Sequence, residues 1–294
     1  MSDDEAPLAE QFERHRPRLR AVAYRMLGSF SAADDAVQET WLRLSRVDAS
    51  GIENLPGWLT TVVGRVCLNV LRSRRSRPEE LAGAHVPDPV VIADRRSDPE
   101  REAELADSVG LALLIVLDVL TPPERVAFVL HDMFGVSFEE IAPVVGRSVP
   151  ATRQLASRAR RRVQVPAVTP DADLIRQREV VDAFFAAARG GDLDALVAVL
   201  DPDVVLRSDG GRVRAAATVF VEGAVAVAGR AITFAMPSAT LVPVLVNGAA
   251  GVVVVTDDGP LSVMAFTVRD ATIVEIDILV DPERLGALDL PDRA

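Results

Sequence analysis

Residues 120–163 constrain the fold of this chain most, because they hold two short helical patterns separated by a glycine. Ser137 and Glu140 match a capping box, so we expect a helix to begin at Phe138. Gly146 can adopt the positive φ of a tight turn, and the serine two residues later can cap the next helix. The pattern therefore predicts a helix-turn-helix.

The second helix, expected to end near Val163, separates an apolar face from a polar face rich in arginine. Arginine binds phosphate or guanine through paired hydrogen bonds, and glutamine reads adenine in the major groove. Between Val145 and Val163 six residues are arginine and none is acidic. A solvated face on an ordinary helical hairpin is the alternative interpretation. The candidate DNA-binding residues here are Arg147, Thr152, Arg153, Gln154, Ser157, Arg158 and Arg161.

Composition describes a soluble globular protein with room for two or three domains, since 49% of the 294 residues are hydrophobic and 26% are charged. All 32 basic residues are arginine, and the net charge is −11. Up to Val165 there are 22 arginines against 24 acidic residues, whereas the remainder holds 10 against 19. An acidic surface repels phosphate, so we expect DNA binding in the front part and another role for the rear part.

The chain is expected to be cytoplasmic, without a metal or cofactor. Cys67 is the only cysteine, which excludes an internal disulfide and leaves no Cys or His cluster for zinc. The first residues are acidic rather than a signal sequence. The apolar run near residues 109–120 is too short to span a bilayer and is interrupted by Asp118, so no membrane partner is expected.

Three further helices are predicted upstream. Apolar stripes indicate two helices between Phe12 and Ser45 and a third from Pro56. The third helix is basic, with no acidic residue between Asn54 and Pro78, and offers a second phosphate-binding surface. Its candidate residues are Arg65, Arg72, Arg74, Arg75 and Arg77. Residues 78–101 collect prolines and predict a linker, and helical patterns return at residues 103–120 and after Thr121.

Beyond Pro166 the pattern changes to an α+β domain. We expect helices at residues 171–189 and 193–200, followed by an antiparallel, curled sheet with the helices packed on it. Valine and isoleucine are frequent in the predicted strands, which cover residues 204–208, about 231–235, 240–246, 251–256, 261–268 and 272–280.

In this order, the first 165 residues resemble the extracytoplasmic-function class of bacterial sigma factors. Residues 31–44 (SAADDAVQETWLRL) resemble the region-two helix that docks on core RNA polymerase. Residues 55–65 (LPGWLTTVVGR) with 69–72 (NVLR) resemble the helix that recognises the minus-ten promoter element and captures a flipped base. Residues 120–163 resemble region four, which reads the minus-thirty-five element.

The resemblance implies site residues in both parts of region two. It places Asp34, Asp35, Gln38, Glu39 and Trp41 at the polymerase interface and adds Asn69 to the DNA-binding residues. Alternatives remain for each group: the acidic residues fit a wet helix face, the tryptophans fit a core, and the arginines fit a solvated helix end.

Phe184 onward resembles the SnoaL-like extension of sigma-J-like factors, which regulates the factor in cis. Three motifs carry the resemblance: residues 85–89 (HVPDP) in place of a WLPEP-like linker motif, residues 209–213 (DGGRV) in place of a DGGGK-like loop, and residues 281–285 (DPERL) in place of an NPDKL-like motif. The implied regulatory interface comprises His85, Pro87, Asp88, Pro89, Asp209, Gly210, Gly211, Asp281, Pro282 and Leu285.

We expect the last domain not to be an enzyme, although SnoaL-like cones also house isomerases and cyclases. His15, His85 and His131 all lie upstream of it, so Asp209 would be the candidate for proton transfer. The Asp-Gly-Gly sequence is more simply a turn after a strand. A small apolar ligand in the cone would make the domain a sensor.

The resulting hypothesis is a multidomain protein with two all-α sigma domains and an α+β SnoaL-like cone. Its predicted parts are region two (1–77), a linker (78–102), region four (103–165) and the cone with a C-terminal tail (171–294). We expect it to be a monomer when free, to bind core polymerase and promoter DNA, and to start transcription. The competing hypotheses are a ligand-sensing helix-turn-helix regulator that does not act through core polymerase, and an isomerase-like enzyme with a DNA-binding appendage whose turnover depends on Asp209.

Overall fold

The computed structural model describes residues 8–47, 51–75, 84–93, 117, 119–163, 171 and 173–291. The chain forms two compact units. The first comprises Met1–Pro78 and Leu114–Val165, and the second comprises Glu79–Leu113 and Pro166–Ala294. Most of the linker predicted at 78–102 and nearly all of the helix predicted at 103–120 lie outside the described residues.

Three helices open the first unit: α1 (Leu8–Leu27), α2 (Phe30–Leu44) and α3 (Leu55–Arg75). Gly28 has a φ of 66° and ends α1, and the Ser29 hydroxyl accepts a hydrogen bond from the amide of Ala32 at the start of α2. Phe12 and Met26 are buried, as is the inward stripe of α3. The helices predicted from apolar spacing are therefore confirmed, although α1 begins earlier than the stripe indicated.

The helix-turn-helix prediction is also confirmed. It follows α4 (Pro122–Phe128), which continues as a π-helical segment (Val129–Met133), and consists of α5 (Phe138–Val145) and α6 (Val149–Val163). Ser137 and Glu140 form the predicted capping box, and Gly146 ends α5 with a φ of 69°. Buried Ala156 and Ala159 hold α6 against its neighbours through small side chains.

Within the first unit, the first three helices pack directly against the later ones. Gly64 on α3 lies against Val144 on α5, and a Cβ added at Gly64 would come within 3.1 Å of the Val144 Cγ1 atom. The buried guanidinium of Arg125 on α4 donates to the Met26 carbonyl oxygen over 3.1 Å and to the Leu117 carbonyl oxygen over 2.9 Å. Burying a guanidinium group is unfavourable unless its N–H groups are hydrogen-bonded. These two hydrogen bonds therefore stabilise the packing.

The second unit is built on a sheet, whose seven strands among the described residues are ordered β1-β4-β5-β6-β7-β2-β3. The strands are β1 (Val91–Ala93), β2 (Leu200–Asp209), β3 (Val219–Glu222), β4 (Thr240–Val246), β5 (Ala249–Thr256), β6 (Gly259–Arg269) and β7 (Thr272–Leu279). The helices are α7 (Leu174–Gly190), α8 (Leu193–Val199), α9 (Ala224–Thr233) and α10 (Pro282–Leu285).

The sheet is bent and packs on both of its faces. Register shifts between Val254 and Val255, and between Thr267 and Val268, interrupt the ladders of β5, β6 and β7. Such irregularities bend strands and increase their twist. One face buries an apolar core with α7, α8 and α9, in which Phe184 lies against Phe266. The predicted α+β architecture with a curled sheet is therefore confirmed.

Three details of this unit differ from the sequence predictions. The strand expected at 231–235 is wrong, because the segment through Thr233 completes α9, whose Val227 and Ala228 are buried at helical spacing. The sheet is not wholly antiparallel, because β2 pairs with β7 in parallel. Strand β1 lies within the predicted linker and pairs antiparallel with β4, with Ile92 opposite Leu245.

Candidate functional site

The outer face of α6 presents the polar residues predicted for DNA. The helix turns its small buried side chains inward, which leaves this face uncovered within the first unit. Residues on one face of a helix can enter a major groove together, so the arrangement suits base and phosphate contacts. The exposed residues of this face are Arg153, Gln154, Ser157, Arg158 and Arg161.

Ion pairs divide the arginines of this segment into two groups. Arg160 contacts Asp132 over 2.6 Å, and Arg162 contacts the buried carboxylate of Glu124 over 2.6 Å. Arg153 lies 3.5 Å from Glu139. Within the described part of the chain, no carboxylate pairs with Arg147, Arg158 or Arg161. These last three cations therefore keep their full charge available for an external anion.

Thr152 is a correction to the predicted DNA-binding set. Its side chain is fully buried, and its hydroxyl donates to the carbonyl oxygen of Ser148 over 3.0 Å. Thr152 lies four and seven residues before the buried Ala156 and Ala159, so it shares their inward face, where it supports the turn and has no surface for a DNA contact.

The second predicted DNA surface lies on α3. Arg65, Asn69 and Arg72 are exposed and spaced four and three residues apart, so they share one helical face. Arg65 also donates to the carbonyl oxygen of Pro143 on α5 over 3.3 Å. Arg74 differs, because its Nη1 donates to the carbonyl oxygen of Leu27 over 2.8 Å and ties α3 to the end of α1. The side chain of Arg75 and all of Arg77 lie outside the described residues.

The two arginine surfaces meet at a groove inside the first unit. The groove has a volume of about 570 Å³. Arg72 from α3 lines it together with Arg147 and Arg158 from the helix-turn-helix, and Glu124 is the carboxylate among its lining residues. Candidate DNA-binding residues that are far apart in sequence are thus close in this structure.

The predicted polymerase-binding residues lie along α2. Asp35 and Gln38 are exposed. Asp34 pairs with Arg20 of α1 over 2.7 Å, and Glu39 pairs with Arg43 one turn later over 3.0 Å.

An apolar patch adjoins these polar groups. Trp41 is half-buried, with its ring 5.1 Å from that of Phe12. Leu42 beside it is 39% exposed and was not identified from the sequence, because a single leucine there fits the core stripe equally well. An exposed leucine next to a tryptophan edge gives α2 an apolar centre within a polar rim, which suits a protein interface.

In the second unit, the predicted regulatory residues come together around Asp209. One carboxylate oxygen accepts hydrogen bonds from His85 Nδ1 over 2.9 Å, from the amide of Val86 over 3.1 Å and from Arg284 Nη1 over 2.8 Å. Arg284 also forms an ion pair with Asp88. Asp88, Asp209 and Arg284 have little exposed side-chain surface, so the cluster joins residues 85–88 to the end of β2 and to α10.

These contacts set the charge state of Asp209. Burial alone would raise the pKa of its carboxyl group, but the hydrogen bond and charge of His85, the charge of Arg284 and the amide of Gly211 outweigh burial and lower that pKa well below the usual range. The carboxylate is therefore ionised near neutral pH. An ionised carboxylate held by several donors has little capacity to exchange protons with a substrate.

The two glycines after Asp209 permit close approach of the other motifs. A Cβ at Gly211, whose φ is 56°, would lie 1.8 Å from a carboxylate oxygen of Asp281. A Cβ at Gly210 would lie 2.1 Å from the carbonyl oxygen of Arg214. Asp281 in turn caps α10, with Pro282 in its first turn and Leu285 buried. Pro87 and Pro89 are buried as well.

Two residues of this region, Arg284 and Asn247, were not predicted from the sequence. Arg284, at the centre of the ion-pair cluster, is the basic residue of the 281–285 motif, and the acidic residues of the other two motifs were the signal that it had partners. The side chain of Asn247 accepts a hydrogen bond from the amide of Val90 over 2.9 Å and fixes the entry to β1. Its φ of 53° and the glycine after it mark it as a turn residue.

Comparison with known families identifies two sigma regions. Residues 11–77 match the Sigma-70 region 2 model, and residues 111–163 match the Sigma-70, region 4 model. The first match contains the exposed faces of α2 and α3, and the second contains the helix-turn-helix. No helix in the described ranges is long and apolar enough to cross a membrane.

Individual relatives extend the likeness along the chain. A Mycobacterium tuberculosis protein named as a probable ECF RNA polymerase sigma factor, SigI, is 36% identical over 286 residues, covering 96% of each chain. SigJ of the same organism is 44% identical over 201 residues, 68% of this chain and 64% of SigJ. The crystal structure of M. tuberculosis SigJ matches with a TM-score of 0.65 at 36% identity and covers 96% of this chain and 100% of that chain. With both sigma regions in order and relatives matched over nearly the whole length, the chain belongs to the extracytoplasmic-function sigma factors and carries a SnoaL-like α+β domain after them.

Proposed function

We propose that this sigma factor docks on core RNA polymerase through α2 and that its C-terminal domain regulates it in cis. As a member of its family, the chain directs polymerase to promoters and starts transcription there. The observation that carries the proposed docking site is the exposure of Asp35, Gln38 and Leu42 on one helix beside the half-buried Trp41.

The proposed promoter contacts use both arginine surfaces. The face formed by Arg65, Asn69 and Arg72 recognises the minus-ten element, where strand opening exposes bases to capture. The face of α6 around Arg158 and Arg161 reads the minus-thirty-five element in the duplex major groove. The lack of carboxylate partners for Arg158 and Arg161 among the described residues supports this assignment.

Regulation in cis is supported by the chain segment that connects the two sigma regions in sequence. Residues 84–93 belong to the second unit, where β1 extends the sheet and the Asp209 cluster holds His85, Val86 and Asp88. A connecting segment held this way has fewer conformations than a free linker. We propose that the domain thereby restricts how the two DNA-binding regions are placed.

We propose further that the C-terminal domain is not an enzyme, that it holds a small apolar ligand, and that the free protein is a cytoplasmic monomer. The lowered pKa of Asp209 and its ion pairs argue against the proton-transfer role that an isomerase would need. The competing hypothesis is a ligand-sensing regulator independent of core polymerase. It does not explain the match to Sigma-70 region 2.

The decisive experiment mixes the full-length protein with sigma-free core polymerase and measures complex formation by gel filtration. We expect a stable complex that weakens at least about tenfold when Asp35 and Leu42 are both changed to alanine, since the substitutions remove a charge and an apolar contact. The matched control changes Asp203 and Val213 to alanine, which are also an exposed acidic and an exposed apolar residue but belong to the second unit. Equal binding by both variants would refute the docking site. If neither the wild-type chain nor a chain truncated at Asp171 forms a complex, the result favours the competing regulator.

A further inference from the structure

The second unit contains an apolar cavity that none of the proposed polymerase or DNA contacts uses. Its volume is about 450 Å³, within the range of about 300–1,000 Å³ that small-molecule sites occupy. It lies between α7, α9 and the concave face of the sheet, and Phe184, Leu206 and Met264 form part of its apolar lining. A cavity of this size can hold the body of an organic molecule.

Two serine hydroxyl groups interrupt this apolar lining. Ser208 on β2 and Ser262 on β6 both line the cavity, and they are only 7% and 5% exposed. Neither side chain has a hydrogen-bond partner among the residues that the structure describes. A hydroxyl that faces the cavity and has no protein partner is available to hydrogen-bond an occupant, so these two groups favour a ligand with a hydrogen-bonding atom.

The charges around the cavity are all of one sign. Arg189, Arg214 and Arg230 line it, and no aspartate or glutamate appears among its described lining residues. Arg189 donates to the carbonyl oxygen of Ala239 over 2.7 Å, and Arg214 donates to that of Leu261 over 3.3 Å. These bonds orient the guanidinium groups but neutralise no charge.

The arginines and the serines occupy different depths. Each arginine retains more exposed surface than the serines, so the cationic groups lie toward solvent and the hydroxyls lie deeper. Arg230 lies with its guanidinium carbon 4.7 Å from the ring centroid of Phe234, which is 64% exposed and also lines the cavity. An exposed phenylalanine beside a cation marks the opening through which a ligand enters.

We propose that this cavity binds an amphipathic organic anion, whose apolar body fills the space around Phe184 and whose acidic group faces Arg189, Arg214 and Arg230. The inference rests on the proposed function in one respect, that the C-terminal domain holds a small ligand. It adds that this ligand carries a negative charge. A neutral apolar molecule would leave three cations without counter-charge. A bare inorganic anion would leave the apolar lining unfilled, so neither fits the whole site.

Two fluorescent probes with the same aromatic skeleton test the inference directly. Anilinonaphthalene sulfonate carries a sulfonate, and N-phenylnaphthylamine is its neutral counterpart. Titrated into the full-length protein, the anion should bind in an equimolar ratio and at least about tenfold more tightly than the neutral probe. Raising the salt concentration should weaken the anion alone, because only its binding involves ionic contacts.

Variants locate the binding. Changing Arg189 and Arg230 to glutamine should weaken the anion about tenfold and leave the neutral probe unchanged. The matched control changes Arg176 and Arg212 to glutamine, which are exposed arginines outside the cavity lining, and should alter neither probe. Ala235→Trp, which fills the cavity near its opening, should exclude both probes.

The outcomes separate this inference from the proposed function. Equal affinity for the two probes, without salt dependence and without an effect of the arginine variants, would overturn the anionic ligand while leaving a neutral apolar one. Failure of both probes to bind, or binding unchanged by Ala235→Trp, would overturn the ligand site altogether. Neither result bears on polymerase binding, which gel filtration measures independently.

Discussion

Asp209 shows how one residue can hold a segment of chain by charge. Its carboxylate, Asp88 and Arg284 form a largely buried cluster, and the more exposed His85 donates to the same carboxylate. Removing one partner from a buried ion pair leaves an uncompensated charge, which costs more than the pair contributes. The segment around residues 84–93 is therefore expected to respond strongly to a single substitution.

Asp209→Asn should loosen that segment. We expect the substitution to reduce the stability of the second unit by about 3 kcal/mol, because it leaves Arg284 with one carboxylate partner in place of two. Hydrogen exchange of the Val86 and Val90 amides, both hydrogen-bonded in the structure, measures the effect. Asp203→Asn, an exposed aspartate on the same strand, is the control. Exchange rates that are equal in the two variants would contradict the stabilising role of the cluster.

The effect of Asp209→Asn should also depend on pH in one direction. The pKa of Asp209 is lower in the folded protein than the value of about 3.9 typical of an unfolded chain, so ionisation favours folding. This contribution is complete above the unfolded value and is lost as pH falls through the folded one. The stability difference between wild type and variant should thus shrink as the pH falls below about 4. Denaturant titrations followed by far-ultraviolet circular dichroism would measure it, and a difference that grows on acidification would be inconsistent with this reasoning.

At the scale of the secondary-structure element, α6 separates structural arginines from available ones. Arg160 and Arg162 pair with carboxylates of the segment that precedes the helix-turn-helix, whereas Arg158 and Arg161 have no such partner in the described ranges. The same residue type on one helix thus serves two purposes, which ion-pair geometry distinguishes and sequence does not.

Arg161→Ala and Arg160→Ala should therefore differ. The assay measures binding of polymerase holoenzyme to a promoter duplex. If Arg161 contacts a base, loss of its side chain should weaken binding by about 1–3 kcal/mol. If it contacts a phosphate, the slope of log affinity against log salt concentration should fall by about 1. Arg160→Ala should change promoter affinity less and thermal stability more, because it breaks the pair with Asp132. Filter binding across a salt series and thermal unfolding make the comparison, and a larger affinity loss for Arg160→Ala would reverse the assignment.

Local signals predicted the helical elements well and the sheet less completely. Capping boxes at Thr121 and Ser137 and the turn at Gly146 each lie within a few residues, so the sequence reveals them directly. The end of α9 was mistaken for part of a strand at 231–235, because isoleucine, threonine and phenylalanine there favour strands. The parallel pairing of β2 with β7 depends on residues about 70 apart, such as Arg207 beside Asp277, which no local pattern encodes.

At the scale of the first unit, the packing of α3 on α5 sets a geometric limit. Minus-ten and minus-thirty-five elements lie about 25 base pairs apart, or roughly 80 Å at about 3.4 Å per base pair. A compact body of about 130 residues has a radius of gyration of about 14 Å, too small to span that distance. On the proposed assignment of the two surfaces, we therefore expect the two regions to separate before both contact one promoter.

Gly64→Val should shift the chain toward the separated arrangement, because its side chain would collide with Val144 and Leu130. Without polymerase, the variant should bind DNA carrying both elements several-fold more tightly than wild type does, while DNA with one element changes less. Gly51→Val is the matched control, since a Cβ there meets no atom within 4 Å. Electrophoretic mobility shifts on the two DNAs provide the measurement, and an equal gain on both would argue against separation as the cause.

The contact at Gly64 also bears on how such a protein behaves among a genome's worth of DNA. Non-specific sites vastly outnumber promoters, and any protein with an open arginine surface spends most of its time on them. If only a fraction of the free chains has the separated arrangement, the apparent dissociation constant for DNA carrying both elements rises by the inverse of that fraction. A chain held in the compact arrangement contacts DNA through one arginine surface at a time, so fewer molecules are titrated by non-specific sites and more remain available to the polymerase.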